Sequence, residues 1–185
     1  MVKGALDIVV LIRQDHAELR SVLNRVAAGG ADDRWVTFSH LSDLLIRHEV
    51  AEELVVYPEL LKLRGGSAVT HSRLEDQAVI ERLLIALDRQ EFDTHSFELT
   101  AARLGLDVLE HIGKEDAQVL PLLETKLGRR RRSALGRRFL EVEHSVPSSG
   151  ASPTARRPTG ATIVDRTSVI STWMRDSAAV SDLAC

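Results

Sequence analysis

Four long segments of this chain repeat apolar side chains at intervals of three and four residues, and none of them alternates with a period of two. This spacing places the apolar side chains on one face of an α-helix, which must be buried against neighbouring helices. Each segment has 20 residues or more, enough for a helix of about 30 Å. The segments are separated by glycine pairs at Gly29-Gly30 and Gly65-Gly66, by the polar stretch around Asp93-Thr94, and by Gly128. The sequence therefore predicts an all-α protein, an up-down-up-down four-helix bundle.

Each predicted helix carries ionisable residues at positions that its apolar pattern reserves for the core. They are His16 in the first helix, His48 and Glu52 in the second, Asp76 in the third, and His111 and Glu115 in the fourth. A single buried histidine is most often an ordinary hydrogen-bonded core residue. Ionisable groups on the inner faces of four helices instead indicate a shared site, because buried charges require a partner or a metal ion.

The second and fourth helices repeat one pattern. In residues 48–58 (HEVAEELVVYP) and 111–121 (HIGKEDAQVLP), a His is followed four residues later by a Glu and ten residues later by a Pro. The i, i+4 spacing puts the His and the Glu on the same helical face, one turn apart, where both reach one metal ion or two neighbouring ions. We expect each proline to kink or end its helix.

The combination of imidazole and carboxylate side chains suits Fe, Mn or Zn. The one cysteine of the chain, Cys185, leaves no Cys-based zinc site. Ligands from four helices exceed the need of one tetrahedral ion, and a carboxylate-bridged pair of irons accounts for their number best. A ferritin-type site is disfavoured because it requires Glu-x-x-His on two helices, and the sequence has that spacing only at Glu141 and His144.

These motifs resemble those of the hemerythrin-like (HHE cation-binding) domain family. The resemblance rests on Asp15-His16, on residues 48–58, on HSRLED at 71–76 and on residues 111–121, and it extends over roughly residues 5–127. It implies a four-helix bundle with a non-haem di-iron centre, that is, two Fe per chain. By the resemblance, His16, His48 and His111 are iron ligands, Glu52 and Glu115 bridge the two irons, and Glu49 corresponds to an extra carboxylate ligand of some relatives.

The third helix departs from the family pattern. Relatives usually carry a Glu-His pair where this chain has Glu75-Asp76. Asp76 shares the predicted apolar face with Ile80, whereas His71 is about 140° away on an ideal helix. His71 repeats the His-x-x-x-Glu spacing with Glu75, and a frayed helix start would turn it inward, so both His71 and Asp76 remain candidate metal ligands, with Asp76 preferred. A carboxylate in place of an imidazole stabilises ferric iron, which disfavours a reversible oxygen carrier.

Three classes of function fit this site. The preferred one is a non-haem di-iron protein that binds or senses O₂, NO or peroxide, or that handles iron. The second is a di-iron enzyme that reduces peroxide or oxygen, or that protects against nitrosative and oxidative stress, although the motifs identify no catalytic residue. The third is a metal-free helical interaction protein.

Prolines and basic residues divide the chain into parts. Residues 1–128 form the predicted bundle, 129–144 a basic helical extension, and 145–185 a flexible tail that comprises a Pro/Ser/Gly linker (145–160) and a short amphipathic segment (161–185). We expect the amphipathic segment to contact the bundle or a protein partner. Residues 126–138 carry seven basic and no acidic side chains, but no aromatic residue, so we expect a solvated helix end rather than nucleic-acid binding. The longest N-terminal apolar run, residues 8–12, is too short for a signal peptide or a membrane span, which predicts a cytoplasmic protein.

Overall fold

The computed structural model describes residues 6–28, 31–91 and 94–147 of the chain. Within these ranges the backbone is helical, with short turns and no strand. None of the helices in these ranges combines the length and the apolar composition that a bilayer span requires. The amphipathic segment predicted at 161–185 and nearly all of the linker predicted at 145–160 lie outside the described residues.

Six α-helices and one π-helical turn follow one another in the described part of the chain. They are α1 (Ile8–Ala28), α2 (Ala31–Ala51), the π turn (Glu52–Val56), α3 (Tyr57–Leu60), α4 (Gly66–Arg89), α5 (His95–Lys126) and α6 (Arg129–Ser145). Thr94 caps α5, because its hydroxyl oxygen accepts a hydrogen bond of 3.2 Å from the amide of Phe97. Gly66 begins α4 so close to α3 that a Cβ on it would collide with the carbonyl oxygen of Leu60.

The bundle is closed by contacts between neighbouring helices. α1 packs against α2 and α5, α5 packs against α4, and α3 packs against α4. Apolar side chains from these helices fill one core, which includes Ile12, Leu45, Ile80 and Val108. Burying one such side chain contributes about 1.5–3 kcal/mol. The all-α four-helix bundle predicted from the sequence is confirmed.

The second helix of the bundle continues through its proline. The amide of Tyr57 donates to the carbonyl oxygen of Glu52, five residues earlier, so the helix widens over the π turn. In a regular helix, the ring of Pro58 would collide with the carbonyl group four residues before it. The wider turn directly precedes Pro58. Neither proline ends its helix, since α5 also continues past Pro121.

The predicted helical extension is α6, which packs against α1, α2 and the π turn. Its buried face consists of Leu135, Gly136, Phe139 and Val142. Gly136 permits the close approach, because a Cβ at this position would collide with the carbonyl oxygen of Leu6. The extension is therefore a fifth long helix that covers one side of the four-helix bundle.

Two of the four arginines at the start of α6 form ion pairs with the bundle. Arg131 donates hydrogen bonds of 2.8 and 2.6 Å to the two carboxylate oxygens of Glu59, and Arg132 donates one of 2.9 Å to Asp7. Glu59 is buried. Arg129, Arg130 and Arg131 are exposed, as expected for a solvated helix end, but Arg131 and Arg132 also pair with carboxylates that are distant in the sequence.

Candidate metal centre

Four of the predicted ligands converge inside the bundle. His16 comes from α1, His48 from α2, Glu52 from the first residue of the π turn, and Glu115 from α5. One ligand atom of each side chain lies within 4.8 Å of those of the other three, and all four side chains are buried. Ligand atoms lie about 2 Å from a bound ion, so two atoms on opposite sides of it are about 4 Å apart. The spacing of this group is within about 1 Å of that requirement, so these four side chains could hold one ion.

His111, one turn before Glu115 on α5, lies beside this group. Its Nε2 is 3.4 Å from Oε2 of Glu115 and 4.0 Å from Oε2 of Glu52. Nε2 of His16 is 3.3 Å from the same oxygen of Glu115, and Nε2 of His48 is 3.6 Å from Oε1 of Glu52. Each His-x-x-x-Glu motif therefore brings its own His and Glu together, and the two motifs face each other.

Carboxylates behind two of the imidazoles fix the direction of these rings. Oδ1 of Asp116 is 2.8 Å from Nδ1 of His16, and Oδ2 of Asp15 is 3.3 Å from Nδ1 of His48. A hydrogen on Nδ1 that is donated to the carboxylate leaves the lone pair of Nε2 for the centre of the site. Asp116 is held in turn by Arg20, whose guanidinium donates a hydrogen bond of 2.7 Å. Such pairing is typical of histidines that bind metal ions.

Five inner atoms of the site have no hydrogen-bond partner among the described residues. They are Nε2 of His16, of His48 and of His111, Oε1 of Glu52 and Oε2 of Glu115. A buried polar atom without a partner costs about 1–3 kcal/mol. A metal ion removes this cost by coordinating the atoms. Three imidazoles and two carboxylates fit an iron or manganese ion.

The pKa values of the two glutamates are shifted in opposite directions. Burial and the negative charge of Glu115 raise the pKa of Glu52 well above its ordinary value. Burial would raise the pKa of Glu115 as well, but the neighbouring His111, His16 and His48 lower it to about 2. Glu115 is thus the anion of the pair at neutral pH. A bound cation would allow both carboxylates to be ionised together.

Two buried neutral side chains hold the outer oxygens of these glutamates. The hydroxyl of Tyr57 lies 3.2 Å from Oε2 of Glu52 and 3.1 Å from Oε1 of Glu115. The amide of Gln77, on α4, donates hydrogen bonds of 3.2 Å to Oε2 of Glu52 and of 2.8 Å to the hydroxyl oxygen of Tyr57. Each glutamate therefore has one oxygen among the inner atoms and the other in this network.

The structure brings neither candidate ligand of the third helix into the group of four. His71 is exposed, and its Nδ1 lies 2.8 Å from a backbone carbonyl oxygen of its own helix. Asp76 is partly exposed and pairs with Lys114 at 3.0 Å and with Arg73 at 3.1 Å. Its Oδ2 lies 3.7 Å from Nδ1 of His111, the ring nitrogen that faces away from Glu115.

Glu49, the extra carboxylate implied by the resemblance, is buried beside His48 but lies outside the group of four. Burial raises its pKa well above the ordinary value, and the negative charge of Glu53 raises it further. Its surroundings therefore oppose ionisation as long as no cation is near.

The buried face of α4 differs from the predicted one. Its buried residues include Arg73, Gln77, Ile80 and Leu84. The apolar pattern of the sequence instead predicts that Asp76, together with Ile80, lies on the buried face. Sequence reasoning missed Arg73 and Gln77 because polar side chains at these positions look solvent-facing. Their one signal was the spacing, since the four residues step by four, three and four, as a buried helical face requires.

The sequence model of the family described as "Hemerythrin HHE cation binding domain" matches residues 7–123, more than half of the chain. An uncharacterised hemerythrin-like protein of Schizosaccharomyces pombe is 23% identical over 152 residues, which cover 80% of this chain and 74% of that protein. No solved structure matches the chain. The range matched by the family includes all five inner atoms of the site. The chain therefore belongs to the hemerythrin HHE cation-binding domain family.

Proposed function

We propose that this protein binds iron in its buried cluster and uses the iron to bind or sense O₂, NO or peroxide. The observation that carries the proposal is the set of five inner atoms from α1, α2, the π turn and α5, which are buried and without hydrogen-bond partners in the described part of the chain. Membership in a cation-binding family supports it.

Iron is proposed because of the number and the kind of the donors. Zinc sites in proteins almost always use four ligands, and the inner atoms number five. Imidazole and carboxylate ligands with an open position are typical of non-haem iron that reacts with O₂. Bound iron would supply that open position and one-electron redox chemistry.

The surroundings of the inner atoms favour a small ligand. Leu19, Leu45 and Val108 each lie one helical turn from an inner histidine and are fully buried. The ring of Phe139, on α6, packs edge-on against the ring of His48, with centroids 6.0 Å apart. Diatomic gases and peroxide are small enough to enter such an interior, whereas a larger substrate would have to displace α6.

The iron-binding proposal is tested by removing two imidazoles together. We expect the double variant His48→Ala with His111→Ala to lose its iron, measured by elemental analysis, and to keep its helicity in circular dichroism. His71→Ala is the matched control, because His71 is exposed on α4, and it should keep the iron of the unaltered protein. Iron retained by the double variant would contradict the proposal, and an unaltered protein that binds no iron would favour a metal-free interaction protein.

The ligand is tested separately on the iron-loaded protein. We expect the absorption spectrum of the ferrous protein to change on addition of O₂ or NO, with little turnover of peroxide. Rapid catalytic consumption of peroxide would contradict a binding or sensing role and would identify an enzyme.

A further inference from the structure

The two oxygens of each inner glutamate are in different situations. Oε1 of Glu52 and Oε2 of Glu115 lack hydrogen-bond partners among the described residues. Oε2 of Glu52 accepts a hydrogen bond from Gln77, and both it and Oε1 of Glu115 lie within hydrogen-bond distance of the Tyr57 hydroxyl. A carboxylate bridges two metal ions by giving one oxygen to each. Here, the second oxygen of each glutamate faces the Tyr57 hydroxyl or the Gln77 amide, so a second ion would have to compete with these donors for it.

The free atoms are sufficient for one ion. The ligand atoms of His16, His48, Glu52 and Glu115 lie together as one group that could hold a single ion. Nε2 of His111 lies at the edge of this group, 3.4 Å from Oε2 of Glu115, and a small shift toward the ion would make it a fifth ligand and leave one of six positions for a small molecule. The nitrogens of His16 and His111 lie 3.3 and 3.4 Å from the same oxygen of Glu115, a spacing expected for neighbouring ligands of a single ion.

The α4 side of His111 carries positive charge where a second ion would need ligands. Arg73 is fully buried there, and its guanidinium pairs with Asp76. Lys114 also pairs with Asp76. The carboxylate of Asp76, which lies near Nδ1 of His111, is therefore already shared by two cations, and the buried guanidinium repels a further cation.

We propose that the chain binds one metal ion rather than two, and that Tyr57 and Gln77 restrict the carboxylates of Glu52 and Glu115 to that single position. This inference rests on the proposed iron site and departs from the two irons that the family resemblance implies. It makes Tyr57 and Gln77 positioning residues that determine how many metal ions the site holds.

The metal count is tested with Mn²⁺, which has the charge of Fe²⁺ and an electron paramagnetic resonance signal that reports on neighbouring ions. Metal-free full-length protein is incubated with excess Mn²⁺ without oxygen, passed through a gel-filtration column, and analysed for metal content. We expect one Mn²⁺ per chain with the six-line spectrum of an isolated ion. Two ions per chain with a spin-coupled spectrum would overturn this inference but leave the proposed function standing. Failure to retain any metal would overturn the proposed function itself.

The role of the two positioning residues is tested with the double variant Tyr57→Phe and Gln77→Glu. It removes both donors, adds a carboxylate on α4 and changes side-chain size little. We expect it to retain about two Mn²⁺ per chain with a spin-coupled spectrum. Gln14→Glu makes the same charge change at an exposed position of α1 and should retain one.

Two results would overturn the assigned role. One is a folded double variant that still retains a single ion. The other is a phenolate-to-iron absorption band in the ferric form of the unaltered protein, because this band would make Tyr57 a metal ligand instead of a hydrogen-bonding partner of the carboxylates.

Discussion

The side-chain amide of Gln77 donates a hydrogen bond of 3.2 Å to Oε2 of Glu52, linking α4 to the π turn inside the bundle. The third helix of the bundle thus contributes a neutral hydrogen-bond donor to the site and not an imidazole. A donor of this kind orients a carboxylate ligand and holds its second oxygen away from the metal ion.

Replacing this donor should weaken metal binding. We expect Gln77→Leu to lower the affinity for Mn²⁺ by about 10–100-fold in a competition with a chelator, because Glu52 loses the partner that orients it. The free energy of unfolding of the metal-free protein should fall by about 1–3 kcal/mol. Gln14→Leu, at an exposed position of α1, is the control. An affinity equal to that of the control would show that the hydrogen bond does not orient the ligand.

We expect the carboxylate of Asp116, which pairs with Nδ1 of His16, to strengthen metal binding in the same way as Gln77 does. Asp116→Asn keeps the shape of the side chain but removes the charge that favours the Nδ1-protonated ring of His16, and we expect a loss of about 10–100-fold in metal affinity. Asp107→Asn is the matched control on the same helix, where the carboxylate pairs with the exposed Arg103. Equal affinities of the two variants would contradict the assigned role of Asp116.

Replacement by alanine should have opposite effects on stability at two glycines, Gly136 on α6 and Gly113 on α5. Gly136→Ala should lower the free energy of unfolding by about 1–3 kcal/mol in urea, because the new Cβ collides with the carbonyl oxygen of Leu6. Gly113→Ala should raise it by about 0.5–1 kcal/mol, because Gly113 is an exposed helical position with open space around the new Cβ. Destabilisation by Gly113→Ala that matches that of Gly136→Ala would contradict the packing account.

The ion pair between Arg131 and Glu59 predicts a pH dependence. Hydrogen bonds from Arg131 lower the pKa of Glu59 below its ordinary value. A lowered pKa means that the stabilisation is fully present above the unfolded pKa and is lost as the pH falls through the folded pKa. Half of the Arg131 side chain is exposed, so we expect Arg131→Gln to cost only about 1 kcal/mol at pH 7.

Urea unfolding at a series of pH values measures this cost. The difference between Arg131→Gln and the unaltered protein should shrink as Glu59 becomes protonated at acidic pH. Arg130→Gln, at an exposed position of the same helix, should show little difference at any pH. A difference for Arg131→Gln that stays constant down to pH 2 would rule out the ion pair as its cause.

The bundle and the facing of the two His-x-x-x-Glu motifs could be predicted from the sequence because they depend on local spacing. A period of 3.6 residues puts His48 beside Glu52 and His111 beside Glu115 in any regular helix. The predicted polar groups of the first, second and fourth helices then point to a common centre. These predictions require no information about distant contacts.

The register of α4 could not be predicted in this way. A face through Asp76 and a face through Gln77 have equally regular spacing, and aspartate is the more usual metal ligand. Tertiary contacts decide between them, because Gly66 abuts the carbonyl group of Leu60 and Asp76 pairs with Lys114 and with the buried Arg73. The amide of Gln77 finds its partners in the interior.

The docking of α6 also depends on contacts between distant parts of the chain. Arg131 and Glu59 are 72 residues apart, and neither segment shows a pattern that identifies the other as its partner. The π turn could not be predicted either. A proline after a regular apolar pattern predicts that the helix kinks or ends, but it does not predict which kind of turn forms. Only the assembled bundle shows that the widened turn positions Glu52.

Anomalous X-ray scattering at the iron absorption edge, recorded from crystals of the iron-loaded protein, tests the central claim most directly. We expect an anomalous peak enclosed by Nε2 of His16, His48 and His111 and by the free carboxylate oxygens of Glu52 and Glu115. A metal-loaded crystal in which the iron lies elsewhere, at His71 for example, with no peak among these five side chains, would contradict it.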